Sequence, residues 1–262
     1  MRGAGVGETW DTAAMDLGIT GKRAAVAAAS KGLGYGAAAA LAAEGVRVAI
    51  CSRNREEIDA AAQRIGPNAI PFVADVGTVA GATQFVADAN AALGGIDILV
   101  ANAGGPPAGN FAAITDIDAY AKAFELNALS TIAMCQAVIP SMQAQQWGRV
   151  VAITSIAARQ PIANLILSNT ARAGLTGFLK TLATEVAANN ITVNSLQPGL
   201  HATERITDLY GDPAPLGAAV PAGRIGDPAG FGKFVAFLCS ESANYVTGTA
   251  IPVDGGANGG LQ

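Results

Sequence analysis

Aromatic residues make up only 5% of this 262-residue chain, and His201 is its one histidine. A metal centre built on several imidazoles is therefore excluded. The three cysteines, Cys51, Cys135 and Cys239, stand far apart, with neither metal spacing nor the even number of a disulfide framework. They read as reduced core residues of a cytoplasmic protein. Charged residues are equally sparse, at 14% with a net charge of −4, and Lys and Arg form no run anywhere. That excludes a polyanion-binding surface, and with it a nucleic-acid partner. No apolar stretch reaches the roughly eighteen residues that cross a bilayer, so no membrane partner is expected. Residues 1–14 lack the apolar segment of a secretory signal and read as a flexible extension ahead of one domain spanning 15–262.

What the chain has in abundance is small apolar side chains, within a total of 51% hydrophobic residues. They fall in a regular alternation. Strand-like runs are expected at 23–28, 46–51, 69–73, 96–101, 149–153, 191–196 and 250–253. Helical segments are expected at 32–44, 55–64, around 85–92, at 117–145, 164–188, 204–210 and 229–240. Strand and helix in strict alternation imply right-handed crossovers. The fold class is therefore α/β, a single-domain, Rossmann-like, doubly wound parallel sheet of about seven strands with helices on both faces. In such sheets ligands bind at the carboxyl ends of the strands. The stretch 211–223, rich in Pro, Gly and Ala, is the one long irregular loop and a candidate lid.

Three segments carry chemistry. Ser30-Lys31-Gly32-Leu33-Gly34 follows the first strand and opens a helix, the arrangement in which glycines let backbone N–H groups approach a pyrophosphate. Ser155 ends the apolar run from Gly148. Ser168 comes thirteen residues later, and Arg172 follows one helical turn on, hence on the same face.

This pattern resembles the short-chain dehydrogenase/reductases, whose core is a serine followed by Tyr-x-x-x-Lys. Here Ser168 stands in place of the tyrosine, Arg172 in place of the lysine, and Ala27-Ala28 in place of the opening Thr-Gly of the glycine motif. The resemblance runs from Leu17 to Gly256. It takes in Asp75-Val76, Asn102-Ala103-Gly104, Asn127, Pro198-Gly199, Thr203, the Gly223-Arg224-Ile225-Gly226-Asp227-Pro228 run and Val253-Asp254-Gly255-Gly256. A divergent subgroup similar to β-ketoacyl-carrier-protein reductases shares Gly104-Gly105-Pro106-Pro107, the Leu167-Ser168-Asn169-x-x-Arg172 segment and Thr203-Glu204-Arg205.

The resemblance implies several roles. The residues of the glycine loop, Asp75, Val76, Asn102, Ala103, Gly104, Pro198, Gly199 and Thr203 would hold a nicotinamide dinucleotide, and Arg172 its ribose. Asn127, Ser155, Ser168 and Arg172 would form the catalytic group. A serine hydroxyl is a much weaker acid than a phenol, whose pKa is about 10, so the proton source is open. His201, two residues beyond Gly199, is the candidate replacement acid, set against a loop histidine on the surface or capping the following helix; Tyr210 is a weaker candidate.

Cofactor choice follows from charge. An NAD site usually places an acid at the end of the second strand. Here that position reads Ser52-Arg53-Asn54, with Lys31 in the glycine loop and no competing acid expected, which suits the 2′-phosphate of NADP(H). The function expected is an NADP(H)-dependent carbonyl reductase or alcohol dehydrogenase for a small, largely apolar substrate. The alternatives are a non-redox lyase or isomerase on the same fold, or a non-catalytic NADP(H)-binding protein. The long helices at 117–145 and 164–188, like those that form interfaces in the family, imply a homo-oligomer, a tetramer or a dimer.

Overall fold

The computed structural model describes residues 15–211 and 214–260. The expected extension, residues 1–14, and the side chain of Tyr210 lie outside the described residues. Seven strands form one sheet: β1 (Arg23–Val26), β2 (Arg47–Ser52), β3 (Ala69–Val73), β4 (Ile98–Ala101), β5 (Gly148–Ile153), β6 (Ile191–Pro198) and β7 (Ala250–Val253). Their order is β3-β2-β1-β4-β5-β6-β7, and every pairing is parallel. The order reverses between β1 and β4, so the crevice for a ligand opens above their carboxyl ends. The expected fold class stands.

The first layer of helices comprises α1 (Gly32–Ala43), α2 (Arg55–Ile65) and, far along the chain, α9 (Pro228–Leu238). Their buried Leu41, Ile58, Ala61, Phe231 and Val235 share one core with Val26, Val48 and Ile50 of the sheet. Here the small residues serve close packing. A Cβ on Gly36 would collide with the Pro228 carbonyl, and one on Gly232 with the Gly36 carbonyl, so α1 and α9 touch backbone to backbone.

The opposite layer comprises α3 (Val79–Leu93), α4 (Ile117–Phe124), α5 (Ser130–Gln145) and α6 (Ile166–Val186). It buries Phe85, Met134, Val138 and Leu175 on the other face. The helix α7 (Glu204–Tyr210) and the short α8 (Ala214–Ala218) follow β6. The expected irregular stretch 211–223 thus holds a helix of its own.

The continuous segment Ile117–Gln145 is long and apolar enough to cross a membrane by length and composition, which the reading of apolar runs alone did not expect. Over half of its most apolar window is nevertheless buried inside the fold, as in a core helix. It is also not one regular helix. A π-helical turn, Glu125–Leu129, interrupts it and holds Asn127. Such single-turn insertions re-aim a side chain and cluster at functional sites.

The amino ends of the strands are held by ion pairs. Arg23 pairs with Asp97 at 2.7 Å, and fully buried Arg149 faces Glu241 at 3.5 Å and stacks 4.3 Å from the Trp147 ring. Burial pushes the Asp97 carboxyl up; the hydrogen bonds and charge of Arg23 outweigh that and hold it below the usual range.

Candidate active site

β1 ends two residues earlier than its apolar run predicts, because Ala28 leaves the strand with φ +49°, in the left-handed region. Gly32 turns the same way at φ +62°. Between them the chain doubles back tightly enough that a Cβ on Gly34 would collide with the Ala28 carbonyl and meet Asn102 Nδ2 at 2.8 Å. Asn102 Nδ2 donates to that carbonyl at 3.1 Å, which ties the loop to the end of β4. The α1 N-terminus has no side-chain cap, so its first N–H groups face the cleft unspent. A bare backbone cradle at an uncapped helix start suits an anionic diphosphate, and a nicotinamide dinucleotide fits it.

The flanking cofactor candidates lie around this loop. Ser52 Oγ donates to the Asn54 carbonyl at 2.9 Å, and Asn54 caps α2 by accepting from Glu57 N at 3.1 Å. Arg53 projects exposed from the end of β2. Asp75 is exposed beyond β3, with buried Val76 beside it. The methyl group of Thr203 lies 3.4 Å from where a Cβ of Gly32 would stand, so the start of α7 meets the glycine loop. Gly199 is pressed against Asp254 Cβ, with 2.7 Å left for a side chain, and donates its N–H to the Val253 carbonyl at 3.0 Å.

One expectation fails here. Acids do compete for Lys31: its Nζ lies 2.5 Å from Glu204 and 3.7 Å from Glu57, and Ser30 Oγ donates to Glu57 at 3.2 Å. Glu57 arrives from the first turn of α2 rather than from the end of β2. The hydrogen bond that Lys31 donates to Glu204 raises its ammonium above its usual range.

The second half of the site lies over β4 and β5. Asn127 Nδ2 donates to the Gly104 carbonyl at 2.8 Å, while its buried Oδ1 has no partner among the described residues. Ser155 caps a short 3-10 turn, its Oγ accepting from Ala157 N at 3.1 Å. On α6, Ser168 and Arg172 are both buried, and Arg172 Nε donates to Ser168 Oγ at 3.2 Å. Arg172 Nη1 donates to the Ile153 carbonyl at 3.3 Å, two residues before Ser155. Burial, helped by the charge of Arg205, pulls the Arg172 guanidinium down to about 10, so it remains charged at neutral pH.

Both serine oxygens thus already accept an N–H, which leaves each hydroxyl proton free to donate to a ligand. Two O–H donors with a guanidinium behind one of them can stabilise developing negative charge on a carbonyl oxygen.

His201 is not brought together with Ser168 and Arg172. Its Nδ1 lies 3.2 Å from the Gly199 carbonyl, its ring packs edge-on to Phe231 at 5.2 Å, and Gly226 closes over it. Phe231 belongs to α9, on the opposite face of the sheet from α6. Burial holds the imidazole below its usual range, against the Gly199 carbonyl and Asp227. Sequence reasoning also passed over Arg205 as a site residue. Its guanidinium Nη2 donates to the Pro106 carbonyl at 3.1 Å, at the edge of the same cleft.

An open parallel sheet with a glycine cradle at its switch point and paired hydroxyls over β5 defines a nicotinamide-type oxidoreductase scaffold. Comparison with known proteins narrows this. A family model described as Enoyl-(Acyl carrier protein) reductase matches residues 27–258. The chain is 37% identical over 246 residues to dehydrogenase/reductase SDR family member 4 of Oryctolagus cuniculus, covering 91% of this chain and 94% of that one. It is 33% identical over 241 residues to the 3-oxoacyl-[acyl-carrier-protein] reductase FabG of Salmonella typhimurium, covering 92% and 98%. The structure of L-sorbose reductase from Gluconobacter frateurii, complexed with NADPH and L-sorbose, superposes with a TM-score of 0.86 at 32% identity, over 94% of this chain and 100% of that one. The chain belongs to the short-chain dehydrogenase/reductases, a family of oxidoreductases that act on small molecules.

Proposed function

We propose that the chain is an NADP(H)-dependent reductase or dehydrogenase that interconverts a C=O and a CH–OH group, and that it does so without the family's tyrosine. The observation that carries this reading is the juxtaposition of Ser155, Ser168 and Arg172 over β5 with the glycine cradle above β1. When bound, the nicotinamide supplies or accepts a hydride. Gly32, Gly34 and the α1 N–H groups hold its diphosphate; Asn102, Thr203 and Arg172 hold the nicotinamide end. Arg53 at the end of β2 binds the 2′-phosphate, because no acid of the strand itself occupies that position and a guanidinium grips phosphate through two N–H groups.

Ser155 and Ser168 donate hydrogen bonds to the substrate oxygen. Arg172, by donating to Ser168 Oγ, polarises that hydroxyl and strengthens its donation. The guanidinium does not itself give up a proton. His201, packed against α9, is left as a structural residue in this reading. The proton travels instead through water held at the unpartnered Asn127 Oδ1.

The body of the substrate rests on apolar surface near Pro106, Ile162 and Leu165. The protein works in the cytoplasm, where its three free, buried cysteines stay reduced; burial pushes each thiol up to about 12, which keeps them inert. It assembles as a homo-oligomer through the helices on the α4–α6 side, where large apolar side chains such as Ile117 and Leu129 are exposed.

NADPH oxidation, followed by absorbance across a panel of ketones, oxo-acids, enones and quinones, tests the redox reading. Binding of NADPH with no oxidation by any member of the panel would leave only the non-catalytic or non-redox alternative.

A further inference from the structure

Asn54 caps α2 by accepting from the Glu57 N–H at 3.1 Å. In the reciprocal form of that cap, an acid at this position reaches back to the N–H of the capping residue. Glu57 makes no such bond among the described residues. Its carboxylate goes to the glycine loop instead, where Oε2 accepts from Ser30 Oγ at 3.2 Å and Oε1 lies 3.7 Å from Lys31 Nζ. The last turn of α2 holds the same serine: Arg64 Nη2 donates to the Ser30 carbonyl at 3.3 Å, and its guanidinium covers the Tyr35 ring. Ser30 is buried, so one helix grips it by both its hydroxyl and its carbonyl.

The backbone sets where this happens. Ala29 N donates to the Cys51 carbonyl at 2.8 Å, which fastens the glycine loop to the end of β2 just before Ser30. In a dinucleotide site of this architecture that corner reads the adenosine ribose, through an acid that bonds its hydroxyls or a cation that holds its 2′-phosphate. Both kinds of group are present here. Arg53 projects exposed from the strand end, and Glu57 enters from the first turn of α2. Lys31 does not neutralise the acid by itself. Its ammonium is shared with Glu204, the closer of the two carboxylates at 2.5 Å, so one cation serves two anions. Glu56, also in the first turn of α2, is exposed, and its carboxylate makes no hydrogen bond or ion pair among the described residues.

We propose that Glu57 is a specificity-determining residue of the cofactor site: its carboxylate accepts from the 2′-hydroxyl of NADH and repels the 2′-phosphate of NADPH, and so narrows the preference that Arg53 sets. This rests on the nicotinamide-cofactor reading above and deepens it. A carboxylate accepts a hydrogen bond from a hydroxyl but has no proton to offer a phosphate oxygen. Between two anions a few ångströms apart the repulsion is large enough to shift binding, and added salt screens it. The Glu57 side chain is 45% exposed, so water weakens the repulsion and the expected effect is a changed ratio rather than exclusion of NADPH.

Titration calorimetry on the full chain tests this with two pairs of ligands. One is NADPH beside NADH; the other is adenosine 2′,5′-bisphosphate beside AMP, which differ at the same corner and carry no nicotinamide. Glu57→Gln keeps the size of the side chain and removes its charge. NADPH and the bisphosphate should then bind about tenfold tighter, while NADH and AMP change by less than about threefold. The gain should shrink with added salt. Glu56→Gln removes an equal charge from the same helical turn and should move either ratio by less than about twofold. Unchanged ratios in Glu57→Gln overturn the proposal. Looser NADPH in that variant also overturns it, because the carboxylate would then serve by placing Lys31. An equal shift in Glu56→Gln overturns it as well, since net charge rather than position would be the cause. If Arg53→Gln leaves NADPH unchanged while Glu57→Gln still tightens it, Glu57 stands and the assignment of Arg53 alone falls. If the ratios move as expected while no NADPH is oxidised, Glu57 stands and the redox reading alone falls. Failure of all four nucleotides to bind overturns both.

Discussion

Ala28 and Ala29 are adjacent, chemically identical, and expected to respond to glycine with opposite sign. Ala28 sits at φ +49°, where an L-residue with a Cβ costs about 1–2 kcal/mol relative to the right-handed regions. Glycine removes that strain but brings about 0.5–1 kcal/mol of extra chain entropy to lose on folding. The Ala28 methyl is only half-buried, so its removal subtracts little more. The net expectation for Ala28→Gly is a gain of roughly 0.5 kcal/mol, or about 1–2 °C in Tm for a domain of this size. Ala29 is fully buried in the core between the sheet and α1. There glycine carries the entropy cost and also loses about 0.8 kcal/mol of methyl burial, for a loss of about 1.5 kcal/mol and a fall of several degrees. Differential scanning calorimetry on the apo protein reads both. An Ala28→Gly variant that melts as far below the parent as Ala29→Gly does would refute the argument from left-handed strain. Ala28→Val supplies the control on the other side, since a β-branched residue in this region is worse than alanine and should lower Tm. The same methyl lies in the loop proposed to hold the diphosphate, so Ala28→Gly should also tighten NADPH, read as a lower dissociation constant.

The remaining expectations concern cofactor, chemistry, pH and assembly. NADPH should bind more tightly than NADH, and Arg53→Asp should reverse or erase that preference; equal dissociation constants in the unmodified protein would sink the assignment of Arg53. Ser168→Ala should lower kcat about tenfold, the worth of one hydrogen bond, whereas Ser155→Ala should cost more. The opposite order in steady-state kinetics would make Ser168 the main donor. Burial lowers the His201 imidazole below its usual range, so the unfolded chain binds a proton there more readily than the native state as pH falls below about 6.5. That contribution to stability is intact above that value and is lost as pH falls through it. Denaturant titrations at a series of pH values should therefore show a flatter acid limb in His201→Phe, with turnover at neutral pH retained; abolished turnover in a folded variant would restore His201 as the acid. Light scattering during gel filtration should give a mass above that of one chain at micromolar concentration, and a monomer would contradict the reading of the exposed α4–α6 face.

The sequence by itself determined the layered α/β architecture. Strand-length apolar runs separated by helix-length alanine-rich segments leave few alternatives to parallel crossovers, and each of the seven strands lies within a residue or two of its expected place. Gly32, Gly34, Asn102, Ser155 and Arg172 were legible too, because local spacing fixes which side chains share a turn, a helix face or a strand end. Tertiary structure alone decided the rest. Ala28 became a strained residue only because the loop must double back over Gly34. The apparent continuity of 117–145 hid a π-turn, since an inserted residue leaves hydrophobic periodicity nearly unchanged while it rotates Asn127 toward Gly104. His201 stands two residues from a cofactor turn in sequence, yet it packs against Phe231, because the chain reverses at Gly199 and pairs with Gly226. Long-range charge was the least legible of all. Nothing in the order of residues says that Glu57 and Glu204 will converge on Lys31, because Coulomb interactions depend on distances that only the folded chain sets.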